Sequence, residues 1–162
     1  LLNSLNRSNK IFFQFNTNNI VLKSLLIFLF IQIILGAFVS GLDAGKVYQT
    51  WPLMNGSYFP DDTTIKNLFN LNLPSAVQFL HRNIAYLIFF IFLYFAFNVL
   101  KKRESHLYVN LLILFLVILI QILLGISVLL SGANIYLASM HQISSIFLVV
   151  VALKLYHLSI NT

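Results

Sequence analysis

The sequence predicts an all-α membrane protein, a four-transmembrane-helix bundle made of two repeated helical hairpins. Three observations predict it. The 162-residue chain is 59% hydrophobic and only 9% charged, with a mean hydropathy of +0.89, which leaves too little polar surface for a water-soluble domain of this size. Its apolar residues fall in four continuous runs, without the alternation that barrel strands show. A span carrying Gln-x3-Gly, followed by a span that opens on His, occurs twice.

Residues 1–19 are rich in Asn and Ser, carry Arg7 and Lys10, and read as a polar linker on the cytoplasmic side. Residues 20–162 form the membrane domain, with spans at about 20–40, 76–100, 107–131 and 135–158. Each run gives roughly 31–37 Å of helix, enough to cross the hydrocarbon core. Four spans put both ends on one side. Arg7, Lys10 and Lys23 before the first span, Lys101-Lys102-Arg103 between the second and third, and Lys154 near the end make that side the cytoplasm or matrix. The net charge of +6 is therefore positive-inside bias, and nucleic acid is not a predicted partner. With no cysteine there is no disulfide, zinc thiolate or iron–sulfur site in these residues. The chain opens on Leu1 without a signal-peptide pattern and reads as a piece of a longer protein.

The connections are unequal. Spans two and three are joined by a short basic turn, and spans three and four by Gly132-Ala133-Asn134. Between spans one and two lies a long outer loop, residues 41–75, which Gly41, Gly45, Pro52, Gly56, Pro60 and Pro74 turn repeatedly. Tyr48, Trp51, Tyr58 and Phe59 suit the headgroup region. A loop of this length and composition is more often a lid than a slack linker.

The repeat sets the candidate site. Phe30-Ile31-Gln32-Ile33-Ile34-Leu35-Gly36 in span one matches Leu119-Ile120-Gln121-Ile122-Leu123-Leu124-Gly125 in span three. His81 opens span two and His141 opens span four. Two parallel copies imply a pseudo-two-fold axis along the membrane normal. Each histidine is about six residues into its helix, roughly 9 Å below the outer end, so the two lie at one depth and can face each other across the bundle. An imidazole at that depth is costly unless something uses it.

Two imidazoles suit an iron porphyrin. Zinc wants a third protein ligand, and no Cys, Asp or Glu falls at this depth, whereas haem iron needs only two axial ligands. Ala85 and Ser145, four residues after each histidine and on the same helical face, are small. Gly36 and Gly125 allow a flat ring to approach closely, and Arg82 and Lys46 are placed to meet propionates at the outer surface. Plainer roles stay open: an interfacial histidine, glycines that only pack helices, an Arg82 that snorkels, and Gln32 and Gln121 that bond between helices. His106 and His157 fall toward the cytoplasmic face, and Tyr94 and Phe95 stand where a second haem would need a ligand, so one haem is predicted. A transporter is disfavoured, since no span carries an intramembrane acid or a broken helix.

The run Ser40-Gly41-Leu42-Asp43-Ala44-Gly45-Lys46-Val47-Tyr48-Gln49-Thr50-Trp51-Pro52-Leu53-Met54-Asn55-Gly56, then Gln78-Phe79-x-His81-Arg82, then His141-Gln142, resembles the C-terminal half of haem A synthase. The resemblance runs from about Leu29 to Leu153, and the loop motif is its specific part. It implies half of an eight-helix, pseudo-symmetric protein that oxidises the C8 methyl of haem O to the formyl of haem A for cytochrome c oxidase assembly. It implies that His81 and His141 ligate a haem b cofactor, while the substrate haem O and an essential glutamate belong to the N-terminal half of the same protein. The one glutamate here, Glu104, is in the cytoplasmic turn and cannot be that residue, so no catalytic residue is assigned and this segment alone is expected to be inactive. Implied surroundings are membrane lipid of a bacterial inner or mitochondrial inner membrane and the haem O synthase and cytochrome c oxidase pathway, with homo-oligomerisation left open. The alternative is a free-standing bis-histidine b-type cytochrome, or a haem-carrying membrane subunit without catalysis of its own. Four further spans in frame upstream of Leu1 would decide for the first.

Overall fold

A computed structural model describes residues 17–160. Four helices, α1 (Thr17–Gly41), α2 (Pro74–Lys101), α3 (Tyr108–Leu130) and α4 (Ile135–Ile160), are joined by a long loop and two short turns, with single 3-10 turns at Ala44–Lys46 and Ser105–Leu107. All four are long and apolar enough to cross a membrane. The predicted linker lies outside the described residues as far as residue 16, including Arg7 and Lys10, and residues 17–19 are already helical.

Local chemistry fixes the ends. Pro74 starts α2 at a position where its missing N–H costs nothing, and Leu73 before it is extended, as a residue preceding proline prefers. α2 stops in a Schellman motif: Glu104 N–H donates to the Val99 carbonyl (3.1 Å), Arg103 N–H donates to Leu100 (3.1 Å), and Arg103 takes the left-handed conformation at φ 57°. α3 stops the same way, with Ala133 N–H on Val128 (2.9 Å), Gly132 N–H on Leu129 (3.2 Å), and Gly132 at φ 69°. The Asn134 side chain then accepts from the N–H groups of Tyr136 (3.0 Å) and Leu137 (3.4 Å) and caps α4.

Helix α1 packs along α2 and α3 along α4, giving two hairpins. The hairpins meet through α1 against α4 and, less extensively, α2 against α3. The four helices thus form a ring in which α2 and α4 are diagonal partners. The apolar core is not spread evenly along the bundle. It consists of Leu22, Leu25 and Leu29 from the start of α1, Ile88, Phe92, Phe95 and Val99 from the end of α2, Leu107 to Ile118 positions around α3's start, and Leu148, Ala152, Leu155 and Tyr156 from the end of α4. Phe92 and Phe115 stack with centroids 6.0 Å apart. All of these lie in the half nearer the basic turn. The half nearer the long loop, which holds both histidines, is outside this core cluster.

The distribution of Lys and Arg generates a topological prediction. The chain has no cysteine, so single substitutions report cleanly. Ile65→Cys, 84% exposed in the long loop, should react with an impermeant thiol reagent added outside intact cells, and Ser105→Cys should not. The reverse pattern would invert the bundle.

Candidate haem-binding site

His81 and His141 each lie about two turns into their helices, on the diagonal pair α2 and α4. Each ring is seated against the glycine of the neighbouring Gln-x3-Gly. A Cβ built on Gly36 would stand 3.4 Å from His81 Cε1, and one on Gly125 would stand 3.2 Å from His141 Cε1. At Gly125 an added Cβ would force the ring to give by a few tenths of an ångström, while at Gly36 it would just reach van der Waals contact.

The glutamines bind across the same interfaces. Gln32 Nε2 donates to the His81 carbonyl (3.1 Å) and lies 3.2 Å from His81 Nε2. Gln121 Nε2 donates to the His141 carbonyl (3.4 Å) and to Ser144 Oγ (2.6 Å). Both imidazoles are half-buried, and in both Nδ1 is buried without a hydrogen-bond partner. Gln32 Oε1 is orphaned as well. Buried polar atoms left unpaired cost roughly 1–3 kcal/mol each, and their concentration around the histidines marks the place where the fold tolerates that cost.

Ala85 and Ser145 sit one turn further along, half-buried, with the Ser145 hydroxyl turned back to the Gln142 carbonyl (2.6 Å). Among the described residues no three His, Cys, Asp or Glu side chains converge on a metal-binding point. Two imidazoles without a third ligand fall short of the donor set a tetrahedral ion takes, whereas two axial ligands suffice for haem iron. His106, in the 3-10 turn between α2 and α3, and His157, in the last turn of α4, lie at the basic end, beyond the packed core.

The two basic residues placed by sequence at the outer surface have protein partners. Arg82 donates through Nη2 to the Tyr48 carbonyl (2.9 Å) and through Nη1 to the Leu53 carbonyl (3.4 Å), while its Nε is buried and unpartnered. Lys46 pairs with Asp43 at 2.8 Å, both exposed. Arg82 therefore anchors the long loop to α2 beside His81. Gln78 Nε2 donates to the same Tyr48 carbonyl (3.0 Å), and Thr63 and Ser75 join their hydroxyls at 3.0 Å in a buried contact. Tyr58 bonds Asn83 through its hydroxyl, and Tyr58 and Phe59 both set their rings edge-on to Phe79. Across the top, Gly45 approaches Ala133, and Gln49 lies against Gly132.

Tyr48 is the hub, and it is buried instead of lying in the headgroup region. Its hydroxyl donates to Asp62 (3.2 Å) and accepts from the Asp61 N–H (3.2 Å). Burial raises its phenol above the ordinary value, with the negative charge of Asp62 adding to the effect, so it is a neutral donor at physiological pH. The signal for this cap is present in the sequence. Ser75, Gln78 and Arg82 are spaced i, i+3, i+7, a polar stripe on one face of an apolar helix.

With this geometry in place, comparison with known proteins is decisive for the family. A profile of the cytochrome oxidase assembly protein family matches residues 9–153. The chain belongs to that family. Relatives named heme A synthase include those of Pelagibacter ubique, 44% identical over 137 residues, and Bartonella tribocorum, 42% identical over 137 residues. That of Rickettsia bellii is 36% identical over 139 residues. These alignments cover 83%, 82% and 83% of this chain but only 40%, 38% and 40% of the relatives. The chain thus spans about two-fifths of the length of the curated relatives it matches. No solved structure matches significantly. Four apolar spans and this family make the chain an integral membrane protein.

The loop anchor generates a prediction. Arg82→Met removes two charge-assisted hydrogen bonds to loop carbonyls, worth about 1.5–3 kcal/mol each at most. Limited proteolysis within residues 49–72 should accelerate roughly tenfold or more, with helical content by circular dichroism unchanged. Unchanged cleavage would show that Gln78, Thr63 and Ser75 hold the loop without Arg82.

Proposed function

We propose that this chain is the haem-b-binding half of a haem A synthase, with His81 and His141 as the axial ligands of one haem. The observation that carries the proposal is the paired seat: two imidazoles on diagonal helices, each against a glycine, each with a buried and unpartnered Nδ1. The apolar core cluster lies in the half of the bundle away from the histidines. The family and the relatives named heme A synthase support the same chemistry. A bis-imidazole haem supplies reversible one-electron transfer and has no open coordination position.

The protein's contribution in this proposal is positional. Gly36 and Gly125 let α1 and α3 approach the ligands, and Gln32 and Gln121 hold the ligand-bearing turns of α2 and α4 by their carbonyls. Ala85 and Ser145, one turn below, are small and half-buried. The long loop, tied down by Tyr48, Gln78 and Arg82, screens the site from bulk water. Arg82 keeps an uncommitted Nε–H, and Lys46 stands at the loop surface, both candidates for a propionate. The spans carry no carboxylate near the histidines; Asp43 lies in the loop, in its pair with Lys46, and Glu104 lies in the basic turn. In this proposal the oxidation of haem O belongs to the N-terminal half of the same protein, and a haem held by His81 and His141 would supply one-electron transfer to it.

Two predictions test the proposal. Purified chain should carry one low-spin, six-coordinate b haem. His81→Ala and His141→Ala should each abolish that absorption signature, while His106→Ala and His157→Ala should preserve it. Loss of haem in either of the latter pair would move the site to the basic end. Expressed alone in cells that make haem O but lack haem A synthase, residues 1–162 should give no haem A above an empty-vector control. Haem A in that extract would place the oxidation chemistry in this half.

A further inference from the structure

One stretch of the long loop is turned inside out. Residues 64–72 read Thr-Ile-Lys-Asn-Leu-Phe-Asn-Leu-Asn, and three turns follow one another through them. Asn67 N–H donates to the Thr64 carbonyl (3.1 Å), Asn70 N–H to Asn67 (3.0 Å) and Leu73 N–H to Asn70 (3.0 Å). Two asparagine side chains are turned onto the segment's own backbone. Asn67 Oδ1 accepts from the Thr64 N–H (2.6 Å) and hydroxyl (3.1 Å), and Asn70 Oδ1 accepts from the Asn72 N–H (3.0 Å). The large apolar side chains are left outside. Ile65 is 84% exposed and Phe69 78%, against 66% for Phe30 and Phe90 in the middle of their spans.

The fold also fixes the level at which this segment lies. Its front end is held to the first turn of α2 by the buried contact between the Thr63 and Ser75 hydroxyls (3.0 Å), and its back end runs through Leu73 straight into Pro74. Both ends therefore stand where α2 begins. Helix α2 has 28 residues, about 42 Å at 1.5 Å per residue, which matches a bilayer with its headgroups and not the hydrocarbon core alone. Its first turn is thus at the headgroup layer, and the segment is held beside it. Charge suits the same place. Lys66 is exposed between Ile65 and Phe69, and no Asp or Glu falls between residues 63 and 73. The acids just before it are turned elsewhere, Asp61 to the Ser57 hydroxyl (3.1 Å) and Asp62 to Tyr48 (3.2 Å).

We propose that residues 64–72 are a lipid anchor for the long loop, lying in the headgroup layer with Phe69 inserted toward the acyl chains and Lys66 against headgroup phosphates. An exposed apolar pair in a rigid turn is a poor surface for water and a good one for a bilayer interface. A lysine beside it is drawn to anionic lipid. Ile65 adjoins Lys66, whose charge keeps that end at the headgroup level, within reach of reagents in water. Phe69, preceded by Leu68, goes deeper. The cap is then held from two sides, by Tyr48, Gln78 and Arg82 within the protein and by lipid without.

The test uses the chain in vesicles of phosphatidylcholine and phosphatidylglycerol, with one nitroxide label at a time on Ile65→Cys, Phe69→Cys or Ile120→Cys. Electron paramagnetic resonance power saturation compares collisions with oxygen, which concentrates in lipid, and with a water-soluble nickel chelate present on both sides. Ile120, 50% exposed in the middle of α3, sets the lipid reference. The label at 69 should favour oxygen, as at 120, and the label at 65 should meet both. Adding Phe69→Ser should shift the label at 65 toward nickel. Omitting phosphatidylglycerol should shift it the same way in the chain with Lys66 and leave it unmoved in Lys66→Gln. A label at 69 that favours nickel overturns the proposal, because the segment then stands in water. A label at 69 screened from both overturns it too, and puts a second copy of the chain on the segment. A label at 65 indifferent to Phe69→Ser overturns the role of Phe69, and one indifferent to phosphatidylglycerol overturns that of Lys66.

Discussion

The constraint on which the rest of the structure depends is the placing of two imidazoles inside a membrane-spanning bundle. A ring with two nitrogens has to be satisfied there, ligated, or left at a cost. The fold leaves Nδ1 of both rings unpaired and builds the close contacts of Gly36 and Gly125 around them. Helix pairing follows from that choice. In each hairpin a glycine brings the partner helix against a histidine ring, and the two histidine-bearing helices, α2 and α4, stand diagonally in the bundle.

Division of labour along the bundle follows as well. The half nearer the basic turn holds the apolar core cluster, Leu25, Phe92, Leu114 and Leu155 among its fully buried members. That packing supplies the stability that a site with orphaned polar atoms spends. At the other end the loop is fastened by polar contacts, with Tyr48 and Arg82 at their centre. Buried hydrogen bonds hold a cap in one geometry more specifically than apolar contacts do. A cap of this kind suits the proposed haem site, which has to be kept from bulk water.

Much of this is legible in the sequence because membrane spans and short repeats are strong signals. Four apolar runs give four helices, and the doubled Gln-x3-Gly and His pattern gives the hairpins. The pairing of each glycine with a particular histidine is harder to read, since it depends on the rotation of each helix about its own axis. The partners of Arg82 and Lys46 are hidden for a different reason. Sequence offers a basic residue at the outer surface and a plausible anionic group, but not the carbonyls of Tyr48 and Leu53, which the loop delivers only when folded. The burial of Tyr48 is missed likewise, because aromatic residues next to a span are ordinarily interfacial. The stripe of Ser75, Gln78 and Arg82 does announce a polar contact on that face of α2, though not with what.

The difference between Gln32 and Gln121 shows how a repeat diverges without losing its frame. One position, Ile84 against Ser144, redirects an amide from a hydroxyl to an imidazole. The central claim is that His81 and His141 together hold one haem iron, and the most direct measurement is the nitrogen coupling of that iron. Pulsed electron paramagnetic resonance of the ferric chain, with and without 15N-histidine labelling, should reveal two equivalent-class axial imidazole nitrogens. A single axial imidazole nitrogen, or a high-spin ferric signal with an open position, would contradict it.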